Sequence, residues 1–87
     1  MSKPHVIVYS RPGCHLCDDA KDAIRAARCD DAFTLEEVNI ENSRDLLLKY
    51  QFDIPVVTIN HVEAFRHRVD TAKFRELLKE SNQHAPD

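Results

Sequence analysis

Ser10-Arg11-Pro12-Gly13-Cys14-His15-Leu16-Cys17 stands between a β-branched run, Val6-Ile7-Val8-Tyr9, and a segment of helical apolar spacing. It contains the chain's only glycine and two of its three cysteines. A short apolar run ended by a turn sequence predicts a strand buried on both faces. From Cys14 to about Arg28, the residues Leu16, Ala20, Ala23, Ile24 and Ala27 recur at helical spacing, with Lys21, Asp22 and Arg25 opposite. That pattern predicts an amphipathic helix. Cys14 and Cys17 then lie on adjacent turns of one helix face, so a disulfide closes with little backbone movement. Gly13 permits an unusual turn and is expected to leave Cys14 approachable, while Pro12 restrains the residues before it.

The two sulfurs are not equivalent. Cys17 shares a face with Ala20 and Ile24 and is expected to turn inward. Cys14 falls at the helix start, where unpaired N–H groups and the positive dipole end stabilise an anion. The thiolate is the reactive form, so this placement lowers the pKa of Cys14 from its free value of about 8.5. Arg11 adds positive charge on the same loop; Asp18 and Asp19 oppose it. An ordinary turn carrying two buried thiols would use the same residues, and that reading stays open on the pair alone.

A chain of 87 residues fits one domain. The domain is expected over residues 1–80, with the polar 81–87 as a flexible C-terminal tail. Twelve Lys and Arg against 15 Asp and Glu give a net charge of −3 without a basic run, which argues against nucleic acid or an anionic membrane as partner. No apolar run approaches the ~20 residues that span a bilayer. The start of the chain lacks a signal-peptide pattern, so a cytoplasmic monomer is expected. There a structural disulfide is uncommon, and Cys-x-x-Cys means redox chemistry or half of a metal site.

Phe33 to Ile40 predicts a second strand. Asn42-Ser43 offers an N-cap for a helix with Leu46, Leu47 and Tyr50 on one side. Ile54 to Ile59 and Val62 to Phe65 flank Asn60-His61 and predict a tight hairpin, although Gly would suit the second turn position better than His61. Asp70 is expected to cap a last helix with Phe74, Leu77 and Leu78 inward. The order β-α-β-α-β-β-α predicts an α/β domain with a four-stranded mixed sheet, since a βαβ unit crosses over right-handed and a hairpin adds two antiparallel strands. Pro55 opens a strand where proline is usually unwelcome, and a cis bond there would mark a tight turn.

Tyr-Ser-x-Pro-Gly-Cys-x-x-Cys after a first strand, with Ile54-Pro55-Val56-Val57 about forty residues later, resembles the glutaredoxins. More closely, the chain resembles short glutaredoxin-like proteins carrying Arg-Pro-Gly-Cys-His-Leu-Cys, here Arg11 to Cys17, and Phe-Arg-His-Arg-Val, here Phe65 to Val69. The resemblance covers about residues 5–80. It implies a thioredoxin-like, glutaredoxin-type fold and a cytosolic thiol–disulfide oxidoreductase. Cys14 would be the attacking thiolate, Cys17 the resolving thiol and Pro55 a cis proline facing the disulfide. The Ile54 backbone would pair with a substrate strand. Substrates would be protein or small-molecule disulfides, with no bound cofactor, and the electrons would come from glutathione or a thioredoxin reductase.

Two departures bear on that reading. His15-Leu16 replaces the Pro-Tyr of ordinary dithiol glutaredoxins. Arg66-His67-Arg68-Val69-Asp70 replaces their Gly-Gly and acidic stretch, so glutathione binding does not carry over. Arg66 or Arg68 would hold a substrate carboxylate, or be solvated surface charge. His15 either stabilises the neighbouring thiolate or is a variable exposed residue. Cys29 is expected to be a small semi-buried side chain. His5, His61, His67 and His84 are dispersed and read as surface residues. Two other classes remain: a metal or iron–sulfur module, for which Cys14, His15 and Cys17 fall short of the four ligands zinc takes, and a redox-silent binding module.

Overall fold

The computed structural model describes residues 3–83. β1 (His5–Ser10) lies inside the sheet, parallel to β2 (Thr34–Asn39) and antiparallel to β3 (Val56–Ile59). β4 (Val62–Arg66) pairs antiparallel with β3, giving the order β2-β1-β3-β4. The continuous apolar character of β1 and β3 follows from this position. Val6, Val8, Val56 and Val57 are fully buried because both faces of the central strands are covered.

One face carries α1 (His15–Ala26) and α3 (Thr71–Gln83), which enclose Val6, Val8, Ile24, Val57, Phe74 and Leu78 among others. Phe33 meets Phe74 edge to face at 5.4 Å. The short α2 (Arg44–Tyr50) goes with a smaller cluster of Ile40, Tyr50 and Val56, joined by Tyr9, Leu46, Leu47 and Ile54. Burying each such side chain contributes roughly 1.5–3 kcal/mol, so the two clusters hold the layers together.

Short polar contacts set the ends of the helices. Ser43 Oγ accepts the Leu46 N–H at 3.4 Å and Asp70 Oδ1 accepts the Lys73 N–H at 3.1 Å, both as expected of N-caps. The Thr71 hydroxyl donates to the Ala23 carbonyl at 2.8 Å, tying the start of α3 to α1. The Arg75 guanidinium donates to the Ala27 carbonyl through Nε and Nη2, at 3.3 and 3.2 Å, and so caps the end of α1. Asn60 and His61 both have positive φ, 52° and 67°, the signature of a type I′ hairpin turn.

The element order and the mixed sheet match the sequence expectation. Two details differ. Leu16 is 42% exposed and belongs to neither core cluster; it lines a surface groove instead. The last helix runs to Gln83, three residues into the segment expected to be a tail; residues 84–87 and His84 lie outside the described residues. Among the described residues no helix is long and apolar enough to cross a membrane.

Candidate active site

The loop leaving β1 delivers Cys14 to the N-cap of α1 in an extended conformation, φ −89° and ψ 108°. Its Sγ accepts the Cys17 N–H at 3.1 Å, taking the place of a capping oxygen. The two sulfurs are at disulfide distance, with Cα atoms 5.2 Å apart, inside the range that a disulfide spans without strain on the chain. Cys17 is 2% exposed and faces inward beside Ala20 and Ile24, whereas Cys14 is half-buried at the surface. The inequality expected from the spacing is therefore present: one sulfur is reachable and the other is shielded.

Gly13 has φ 79°, which L side chains rarely adopt, and this explains the single glycine. A Cβ built there would meet nothing within 4 Å. The left-handed backbone is what this position requires of its residue, since a side chain here would crowd no neighbour outside its own loop.

Arg11 lies on the same loop, and its guanidinium donates to Glu41 at 2.8 Å. The Glu41 carboxylate offsets the positive charge that Arg11 brings to the loop. His15 is exposed on the first residue of α1.

The Ile54–Pro55 bond is cis and Pro55 is buried. Tyr9 pairs with Val56 across the sheet, so the residue before Val56 lies at the end of the sheet from which the cysteine loop departs. The register Val56↔Arg66 brings the loop after β4 to that end as well. The His67 N–H donates to the Pro55 carbonyl at 2.9 Å and reaches the Asp53 carbonyl at 3.3 Å. The Arg68 N–H bonds the Arg66 carbonyl at 2.7 Å across His67, whose φ is 69°. This tight three-residue turn carries Arg68. The Ile54 N–H donates to the Tyr50 carbonyl at 3.2 Å, so half of the backbone pairing expected for a substrate strand is engaged within the chain. Burial raises the Tyr9 phenol pKa, and its ring packs on Tyr50 at 4.8 Å beneath this corner.

The two arginines considered for a substrate carboxylate separate. Arg66 binds Asp53 at 2.7 Å and takes both oxygens of Glu63, so its fork is filled. Arg68 is exposed and forms no ion pair among the described residues. It lines a groove of about 340 Å³ with Leu16, Asp19, Ala20, His67 and Val69. Cys29 is half-buried, and its thiol donates to the Ala27 carbonyl at 3.2 Å. Of the histidines read as surface residues, His61 and His67 are exposed, whereas His5 is half-buried and bonds Thr34 at 2.8 Å and Glu36 at 2.9 Å. Among the described residues no group of three or more His, Cys, Asp or Glu is placed to hold a metal ion.

One polar cluster has no counterpart in the sequence reading. Lys21 Nζ donates to Glu37 Oε2 at 3.0 Å, and the buried Ser10 hydroxyl donates to the same oxygen at 2.8 Å. These two bonds, Lys21 first, hold the Glu37 carboxyl below the usual carboxylate range, and the Glu37 bond raises Lys21. The only sequence signal is the four-residue step from Cys17 to Lys21; the partner strand supplies the rest.

Comparison with known proteins agrees with this architecture. The model of the glutaredoxin-like domain (DUF836) matches residues 5–79. The "Glutaredoxin-like protein YDR286C homolog" of Dictyostelium discoideum is 39% identical over 71 residues, covering 75% of this chain and 66% of that protein. The chain thus spans just under two thirds of that relative. The X-ray structure of protein XcR50 from X. campestris has 29% identity and a TM-score of 0.71, covering 86% of this chain and 96% of that one. Chloroplastic thioredoxin z, at 10% identity, shares the fold with a TM-score of 0.74, covering 94% of this chain and 80% of its own. The fold is thioredoxin-like, and the chain belongs to the glutaredoxin-like domain family.

Proposed function

We propose that the protein is a cytoplasmic dithiol–disulfide oxidoreductase. The observation that carries this is the pairing of a half-buried Cys14 sulfur at a helix N-cap with a shielded Cys17 at disulfide distance. In the reductive direction the Cys14 thiolate attacks a substrate disulfide, forms a mixed disulfide and expels one substrate thiol. The Cys17 thiol then loses its proton and attacks Cys14 Sγ, which expels the second substrate thiol. Two electrons pass to the substrate, and Cys14–Cys17 is left as a disulfide for an external thiol to reduce.

Ile54, Pro55 and Arg68 form the docking edge in this reading. The Ile54 carbonyl accepts from an extended substrate segment, and Arg68 meets a carboxylate in the groove beside Leu16. With the Ile54 N–H bonded to Tyr50, a bound segment pairs with this edge through the Ile54 carbonyl alone, and with Arg66 filled by carboxylates, Arg68 is the cation left to meet an anionic group. The electron donor is glutathione or a flavoprotein reductase of thioredoxin-reductase type.

The test is equilibration in reduced and oxidised dithiothreitol with the thiol state read by mass. A reversible two-electron couple confined to Cys14 and Cys17, lost in Cys14→Ser, is expected. Absence of that couple, or insulin reductase activity retained in Cys14→Ser, would refute the proposal. Supplying glutathione or a thioredoxin reductase to the oxidised protein then identifies the donor.

A further inference from the structure

Two large apolar side chains stand in water beside the Ile54–Pro55 edge, and neither serves the core. Phe52 is 84% exposed and Leu48 is 66% exposed. Helical spacing places Leu48 one turn before Phe52 on the outer side of α2, while Leu46, Leu47 and Tyr50 pack inward with Ile40 and Val56. Phe52 belongs to a fixed turn. The Asp53 and Ile54 N–H groups both donate to the Tyr50 carbonyl, at 2.8 and 3.2 Å, and Arg66 holds the Asp53 carboxylate at 2.7 Å. The His67 N–H then joins the Asp53 and Pro55 carbonyls. A phenyl ring presented by such a turn binds with little further loss of backbone freedom.

The free charges around this patch are cationic in excess. Arg44 and Lys49 of α2, and Arg68 beyond His67, are exposed and form no ion pair among the described residues. The nearby carboxylates are taken, Glu41 by Arg11 and both Asp53 and Glu63 by Arg66. Asp45 on α2 and Asp19 across the groove are the acids left over. The excess stands on a chain whose net charge is −3.

We propose that Leu48 and Phe52 form a docking patch for a protein partner that lays a bulky apolar side chain on them and sets acidic residues against Arg44 and Lys49. This rests on the oxidoreductase reading for its purpose and names the substrate class of that site: an acidic and apolar protein segment, not a small disulfide. One exposed apolar residue needs no explanation, but two adjacent ones flanked by unpaired cations beside a cysteine pair fit recognition. Aromatic residues and arginine are the types enriched where proteins meet. Phe52 is two residues from Ile54, so a segment paired with the Ile54 carbonyl reaches the patch within a few residues.

The experiment uses the full chain carrying Cys17→Ser and Cys29→Ser, so that Cys14 is its one thiol. The probes are peptides whose single cysteine is activated as a thiopyridyl disulfide. The Cys14 thiolate attacks the peptide sulfur, the Cys14–peptide disulfide forms, and thiopyridone leaves and reports the rate by its absorbance. One peptide carries Leu-Glu-Glu beside its cysteine and its twin carries Ser-Gln-Gln, on either side in turn. In the better placement the acidic, apolar peptide is expected to react about tenfold faster than its twin, and by a smaller factor at high salt. Phe52→Ser and Leu48→Ser are each expected to cut that preference about threefold, and Arg44→Gln with Lys49→Gln by a similar factor. Rates with the thiopyridyl disulfide of mercaptoethanol are expected to stay at the parent value throughout, which separates docking from the reactivity of Cys14.

Equal rates for the two peptides, or a preference that survives Phe52→Ser and Leu48→Ser together, would overturn the proposal. So would a dimer in sedimentation, or binding to phosphatidylserine vesicles, that Phe52→Ser abolishes, since the patch would then have another occupant. Any thiolate attacks an activated disulfide, so these rates are read whether or not Cys14 and Cys17 form a reversible couple. Absence of that couple would defeat the oxidoreductase reading and leave this measurement intact.

Discussion

The Cys14 sulfur accepts the Cys17 N–H across 3.1 Å, so the atom read as the nucleophile is also the N-cap of the helix behind it. Stability and reactivity at Cys14 are therefore separable by substitution. Serine is a strong N-cap and alanine is not, a difference of typically about 1 kcal/mol. Measured on reduced protein by urea unfolding, Cys14→Ser is expected to match the parent, and Cys14→Ala to lose about 1 kcal/mol. Both are expected to lose disulfide reductase activity.

Gly13→Ala tests the left-handed turn. With φ at 79° and open space around the missing Cβ, the cost is conformational and not steric crowding by neighbours. Destabilisation of roughly 1–2 kcal/mol is expected in the same unfolding assay. Gly13→Asn, which tolerates that region better, is expected to lose less.

Arg75→Met removes the donors that cap the end of α1 at the Ala27 carbonyl and keeps most of the apolar stem. A loss of about 1 kcal/mol is expected, seen as a lower Tm, with the Cys14–Cys17 couple unchanged.

The elements were legible in the sequence because they rest on local signals. β-Branched runs, the caps at Ser43 and Asp70, and the Asn60-His61 turn each act within a few residues. Cys14 and Cys17 were legible for the same reason, since helical spacing alone places them on one face. What could not be read depends on which strands become neighbours. Arg66 looked available until the fold brought Asp53 beside it, and Lys21 looked like solvated surface until β2 supplied Glu37. Leu16 fitted the helical stripe, yet periodicity does not tell which positions of a stripe find a packing partner in the fold.

The Lys21–Glu37 contact also sets a pH dependence of stability. The folded-state pKa of Glu37 is depressed, first by the Lys21 hydrogen bond and then by Ser10. Its contribution is therefore present above the unfolded carboxylate value of about 4.3 and is lost as pH falls through the lower folded value. Lys21 is raised, so its share is present below the unfolded lysine value of about 10.4 and is lost as pH climbs through the folded one. Glu37→Gln is expected to flatten both limbs of a Tm-against-pH curve, and Lys21→Met to flatten the alkaline limb while keeping the part of the acid limb that rests on the Ser10 bond.

The most direct measurement is the rate of iodoacetamide alkylation of the fully reduced protein as a function of pH, resolved by peptide mass for each cysteine. Cys14 is expected to react first, with a midpoint clearly below the ordinary cysteine value of about 8.5, while Cys17 lags. A Cys14 midpoint at or above that value, or a Cys17 that reacts as fast as Cys14, would contradict the account.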